Sequence, residues 1–215
     1  MQTLKAIARL NQLLPLKSRQ AKLPANLKRL HQQILINLAV HGVPPADSVM
    51  TEILGDEDLS LSLRQLGKLD LIVLNDNKNT VLGAYPLTSE VTPHRLQIGQ
   101  HAIYAMCALD AVAVAPMFAT EVKITSRCHV SAEPVSIHMQ GESVKACEPS
   151  TVMIGVRWQM PTNVAAHSMC LQMIFLKDKK TAKRWQGEEE DVMSLFSLPE
   201  AIAFAAGFFL PLLQT

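Results

Sequence analysis

Three absences in this 215-residue chain each exclude a class of function. Its four cysteines, Cys107, Cys128, Cys147 and Cys170, form no C-x-x-C pair, so the close-paired ligand spacing of a structural zinc site is missing. An even cysteine count points to a disulfide framework only in a small secreted chain, which this is not. Free thiols in a reducing cytosol are expected instead. No apolar run is long enough for a membrane span: the most apolar tract, Ala201–Leu213, falls short of the roughly 20 residues required and is interrupted by Pro211. It reads as a buried C-terminal helix. Lys5 and Arg9 interrupt what would be the apolar core of a secretory signal, and the expectation is a cytoplasmic protein with no membrane partner.

Charge is scarce as well. Charged residues make up 18% of the chain and the net charge is +1, which favours neither nucleic acid nor an acidic partner. Residues 1–46 carry seven basic side chains, from Lys5 to Arg29, and no acidic one. They are spread out and not clustered, as on a solvated helix face. Internal repeats and low-complexity tracts are absent. What is plentiful is apolar surface, 48% of residues, enough for a large core in one domain or in a small domain plus a larger one.

The periodicity predicts an α+β fold. Leu27, Leu30, Ile34 and Leu38 recur at helical spacing, and Gly42, Pro44 and Pro45 end that helix. Residues 46–54 and 57–67 read as two more short helices. Leu69–Leu74 and Thr80–Tyr85 read as a hairpin turning at Asp76–Asn79. Helices followed by a hairpin give a winged-helix-like N-terminal region, residues 1–90, ahead of an α+β core with a mixed sheet and flanking helices, residues 91–215. A DNA-binding role is disfavoured, because the would-be recognition helix offers only Arg64 and Lys68 and begins beside Asp56, Glu57 and Asp58, which repel phosphate. Further on, Val91–Ile98 reads as a short strand and Gln100–Met117 as an Ala-rich helix. Strands are expected near Glu121–Thr125, Val135–Met139, Val152–Gln159 and His167–Leu176, with helices at Thr181–Trp185 and Leu198–Leu210.

One charged residue is conspicuous. Between Arg95 and Glu121 the only formal charge is Asp110. A carboxylate in so apolar a stretch is costly to bury ionised, so its pKa should move up and let it hold a proton near neutral pH. Cys107 stands three residues earlier, on the same face if the segment is helical. The competing reading is a carboxylate that caps backbone or faces solvent.

The run Cys107-Ala-Leu-Asp110-Ala resembles the signature of the organomercurial (alkylmercury) lyases. Ala84-Tyr-Pro86 and Thr92-Pro-His94 are similar to that family's approach to the signature, and Val122-x-x-Thr-Ser-x-Cys128 to its strand with a structural cysteine. Ala146-Cys-Glu-Pro149 resembles its Ala-Val-Glu-Pro turn, Ser168-Met-Cys170 its second catalytic cysteine, and Trp185 a Trp beyond that strand. Several local matches in order are far more specific than any one. There are departures: Met106 replaces a frequent aromatic residue, Ser131-Ala-Glu-Pro134 replaces Thr-Gly-x-Pro, and Cys147 stands at an apolar position. It is either a simple replacement or a further mercury ligand.

The resemblance implies a winged-helix-like part on an α+β core. It also implies protonolysis of a carbon–mercury bond, with Cys107 and Cys170 as ligands of the soft metal and Asp110 as proton donor beside it. The substrate would be an organomercurial small molecule, and no organic cofactor or resident metal would be required. Hg(II) would leave to cytosolic thiols or to a mercuric reductase. His129, His138 and His167 are candidate accessory ligands, with His167 and Cys170 on opposite faces of a strand. Two rival readings remain: a thiol-based metal-sequestering protein, which needs the cysteines but not Asp110, and a winged-helix ligand-sensing regulator.

Overall fold

The computed structural model describes residues 2–77 and 79–214. Helices α1 (Gln2–Leu13) and α2 (Leu16–Ala21) lead into α3 (Ala25–His41), α4 (Asp47–Leu54) and α5 (Leu59–Lys68). Gly42, at φ +73°, ends α3 by donating its N–H to the Leu38 carbonyl at 3.0 Å, the left-handed cap that glycine adopts without cost. Asp58 begins α5 by accepting the Leu61 N–H at 2.8 Å. At least one of the acids in front of this helix is therefore an N-cap. Strands β1 (Ile72–Leu74) and β2 (Val81–Ala84) follow as the expected hairpin. Lys78, in the turn expected at Asp76–Asn79, lies outside the described residues.

The hairpin is the edge of a larger sheet. Strands β3 (Leu87–Thr88), β4 (Arg95–Ile98), β5 (His101–Ala105), β6 (Glu121–Arg127), β7 (Pro134–Gln140) and β8 (Ser143–Glu148) complete eight strands in the order β1-β2-β3-β5-β4-β6-β7-β8. Strands β9 (Met153–Arg157), β10 (Met173–Leu176) and β11 (Met193–Ser197) form a second sheet with β9 in the middle. Every pairing in both sheets is antiparallel. The fold is α+β, as the periodicity predicted, but the core sheet expected to be mixed is antiparallel throughout. In β6, Val122, Ile124 and Ser126 point inward; in β7, Val135, Ile137 and Met139 do so. This is the alternation of a sheet covered on one face.

Between the sheets lies α6 (Ala108–Met117), in contact with β6, β10 and α8 (Leu198–Phe209). All ten of its residues are buried, as befits a helix that is apolar all round. α7 (Lys179–Gln186) covers the small sheet, and α1 packs on α8. Among the described residues no helix is long and apolar enough to cross a membrane.

Two expectations are corrected around the chemistry-bearing residues. The helix read over Gln100–Met117 is real only in its second half, because His101–Ala105 is strand β5. It pairs with β3 on one side and β4 on the other, and ladder bonds on both edges override the helical preference of alanine. The strand read over His167–Leu176 begins only at Met173. Before it stand two 3-10 turns, Ala165–His167 and Cys170–Gln172. There the Ser168 and Gln172 N–H groups go to the nearby Ala165 and Met169 carbonyls in place of a ladder partner, and those of Ala165 and Ala166 go to the side chains of Asp70 and Tyr85.

Candidate active site

Cys107 is the N-cap of α6, not a residue inside it. Its backbone is extended, and its Sγ accepts the Asp110 N–H at 3.3 Å. Asp110, in the first turn, turns back towards the same point. The second 3-10 turn brings Cys170 over this helix start. One sulfur from each cysteine and one oxygen of Asp110 all lie within 4.8 Å of one another. The helix geometry predicted for the Cys107–Asp110 pair is thus replaced by cap geometry, and cap geometry brings the two groups together as well.

The trio is dry. Cys107 and Asp110 are each 1% exposed and Cys170 3%, and Asp110 Oδ2 has no hydrogen-bond partner among the described residues. Burial pushes the Asp110 carboxyl up to about 7, against the lowering influence of hydrogen bonds from Cys107 and Cys170. Burial also raises the Cys107 thiol well above its usual range, helped by Cys170 and Asp110. At Cys170 the hydrogen bond with Cys107 pulls the thiol down. Burial and the carboxylates of Asp110 and Asp70 outweigh it, and the pKa is raised. At rest, then, the site holds two thiols and a carboxyl group that gains or loses a proton near neutrality.

A cleft of about 600 Å³ leads to this spot. Met106, His94, Ile174, Met173 and Phe175 line it, with Cys170 at its inner end. Cys107 and Asp110 lie deeper, and Met173 Sδ sits 3.8 Å from Cys107 Sγ. The lining is mostly apolar, suited to an organic group and hostile to bulk water. Burial drops the His94 ring to about 4, and its Nδ1 is 2.9 Å from the Ser126 hydroxyl. It is a neutral wall of the cleft.

A sequence profile of the alkylmercury lyases matches residues 87–209. The chain belongs to the alkylmercury lyase family. Two alkylmercury lyases similar to it come from Streptomyces lividans, 28% identical over 133 residues, and Staphylococcus epidermidis, 26% identical over 135. Those stretches are 61% and 63% of this chain. The chain spans about three fifths, 60%, of the length of each relative. A crystal structure described as the mercury-bound form of MerB2 superposes with a TM-score of 0.76 at 19% identity, over 92% of this chain and 98% of that one. That likeness shows a shared fold.

The other residues read from the sequence fall around this alkylmercury lyase scaffold. Cys128 is buried at the start of the turn into β7, where its N–H donates to the Glu133 carbonyl at 2.8 Å. Burial works to raise its thiol, but hydrogen bonds from Ser131, Lys177 and Val130 prevail and lower it. Cys147 is half-buried on the outermost strand β8, its thiol 3.2 Å from the Pro149 carbonyl, and it is not in the sulfur–carboxylate cluster. His138 pairs with Glu121 at 2.7 Å and His167 with Glu90 at 3.1 Å. His129 lines the cleft, and none of the three belongs to the cluster. His167 and Cys170 sit in successive 3-10 turns, so the strand alternation expected of them does not apply. Trp185 packs closely over Gly155 of β9, leaving no room there for a Cβ. The sequence reading did not single out Met173 or Asp70. A lone acid within Leu69–Leu74 was the available signal for the latter.

Proposed function

We propose that this protein is an organomercurial lyase that cleaves the carbon–mercury bond of R–Hg⁺ by protonolysis, with Cys107 and Cys170 as mercury ligands and Asp110 as proton donor. The observation that carries this reading is the buried cluster of two thiols and one carboxyl, whose proton affinity lies near neutrality. Thiolate is the protein ligand that matches a soft metal. The first thiol to bond mercury releases its proton and gives a neutral R–Hg–S species. The second passes its proton to Asp110 as it approaches, and its donation loads electron density onto carbon. Asp110 then delivers that proton to carbon as the Hg–C bond breaks. R–Hg⁺ and two thiols thus give RH, one Hg(II) dithiolate and one proton.

The scheme requires no organic cofactor and no resident metal. Hg(II) leaves by exchange with external thiols such as glutathione or with a mercuric reductase, and because both cysteines must stay reduced, we place the reaction in the cytoplasm. The test is incubation with phenylmercury or methylmercury and excess thiol, assaying benzene or methane. Hydrocarbon from the wild type, and an intact R–Hg adduct without hydrocarbon from Asp110→Asn, is the expected pair of results. An intact adduct from both proteins would make this a thiol carrier and overturn the lyase reading.

A further inference from the structure

Cys107 and Asp110 are fixed by a helix start, but Cys170 stands on two short 3-10 turns between β9 and β10, and something else must hold it in place. The Tyr85 hydroxyl donates to Asp70 Oδ1 at 2.7 Å and accepts the Ala166 N–H at 2.9 Å. Asp70 Oδ2 accepts the Ala165 N–H at 3.1 Å, with the Arg19 guanidinium 3.9 Å away. Tyr85 is 1% exposed and Asp70 8%. Both oxygens of Asp70 accept hydrogen bonds, as an ionised carboxylate does. Asp70 itself lies at φ +52°, between α5 and β1, a backbone region that Asp enters more readily than most residues. Two consecutive N–H groups, four and five residues ahead of Cys170, are thus clamped by a buried pair reaching across from the first hairpin.

We propose that Asp70 and Tyr85 are positioning residues for Cys170: their buried hydrogen-bonded pair grips the Ala165–Ala166 backbone and so fixes the second sulfur over Cys107 and Asp110. The proposal rests on the lyase reading for its catalytic consequence. Neither Asp70 nor Tyr85 lines the cleft, and they reach it only through the Ala166 backbone they hold, so their main effect falls on the two-sulfur step. Removing it loosens one of two ligands. Displacement of a reacting group by about 1 Å can cost up to about 10²-fold in rate.

The test compares wild type with Tyr85→Phe, which deletes one hydroxyl, and with Asp70→Asn and Asp70→Ala. Steady-state kinetics on phenylmercury would be set beside retention of Hg(II), loaded as the chloride, against a competing dithiol. Tyr85→Phe should lose roughly tenfold to 10²-fold in kcat with KM little changed, the pattern of a contact that matters after binding. It should also surrender Hg(II) faster. Asp70→Asn keeps an acceptor for the Ala165 N–H and should retain more of both properties than Asp70→Ala. Lower melting temperatures with kcat and Hg(II) retention at wild-type levels would assign the pair a purely structural role and overturn the proposal. If Tyr85→Phe does not fold, the order of the two Asp70 variants decides. The retention arm needs no cleavage, so a wild type that released no hydrocarbon would sink the lyase reading while leaving the clamp to be judged on its own measurement.

Discussion

At the scale of single residues the site depends on where water is not. Asp110 is a carboxyl that burial keeps protonated up to about 7, and three outcomes follow. Cys107→Ala and Cys170→Ala should each abolish hydrocarbon release, because one sulfur cannot load the carbon. Asp110→Asn should cost about 10²–10⁴-fold, the usual worth of a general acid. Because Asp110 must take the second thiol's proton before delivering it to carbon, turnover in the wild type should also fall as pH drops through about 7, a limb read from a pH–rate profile. The same burial has a stability signature. The folded carboxyl binds its proton more tightly than the unfolded one, whose pKa is 3.8, so its contribution is complete below that value and is lost as pH rises towards 7. Melting curves should show this loss in the wild type and not in Asp110→Asn. The remaining cysteines divide by burial: Cys128→Ala should lower stability by about 1–2 kcal/mol, whereas Cys147→Val, on the edge strand, should leave turnover and Hg(II) affinity nearly unchanged.

At the scale of elements, close approach between strands shapes the wall of the cleft. A Cβ on Gly83 in β2 would lie 2.5 Å from the Leu87 carbonyl and 2.9 Å from Met106 Cε. The first obstacle is backbone and cannot swing aside. Gly83→Ala should therefore destabilise by about 1–3 kcal/mol, seen as a lower denaturation midpoint. It should also shift Met106, seen as a changed preference between methyl and phenyl substrates. Elements with a strong period were legible from the sequence: α3 from its leucines, α8 from its apolar run, β6 and β7 from their branched residues. Others were not. β8 is an exposed edge with little apolar alternation, and β5 is an alanine-containing strand whose identity depends on its two neighbours. Cys107 and Asp110 were found because a lone charge stood in an apolar stretch beside a familiar motif. The turns under Cys170 were invisible, because their hydrogen-bond partners, Asp70 and Tyr85, lie more than 80 residues away.

At the scale of the whole molecule, a buried histidine ties the chain's two ends together. The Gln20 amide donates to His31 Nδ1 at 2.8 Å and to the Leu212 carbonyl at 2.9 Å, and His31 Nε2 meets the Leu71 carbonyl at 3.1 Å. With Gln20 donating, Nε2 carries the ring proton. Protonating Nδ1 would set donor against donor, and burial holds this ring at about 4, as it does His94. Both rings are neutral when folded and titrate at 6.5 when unfolded. Their contribution is thus complete above 6.5 and drains away as pH falls towards 4. His31→Gln should be less stable at neutral pH yet show a shallower acid limb in melting temperature. The arrangement of the core has a further consequence, for durability. A catalyst whose reagent is a pair of neighbouring thiols risks ruin by air, since oxidants and alkylating agents attack the thiolate. Here Cys107 and Cys170 are buried, Cys170 at the inner end of the cleft, and both are kept protonated, while Cys147 lies nearer the surface. By exposure alone, chemical insult should mark Cys147 before it reaches the buried Cys107 and Cys170, so the protein should age at its edge before it ages at its centre.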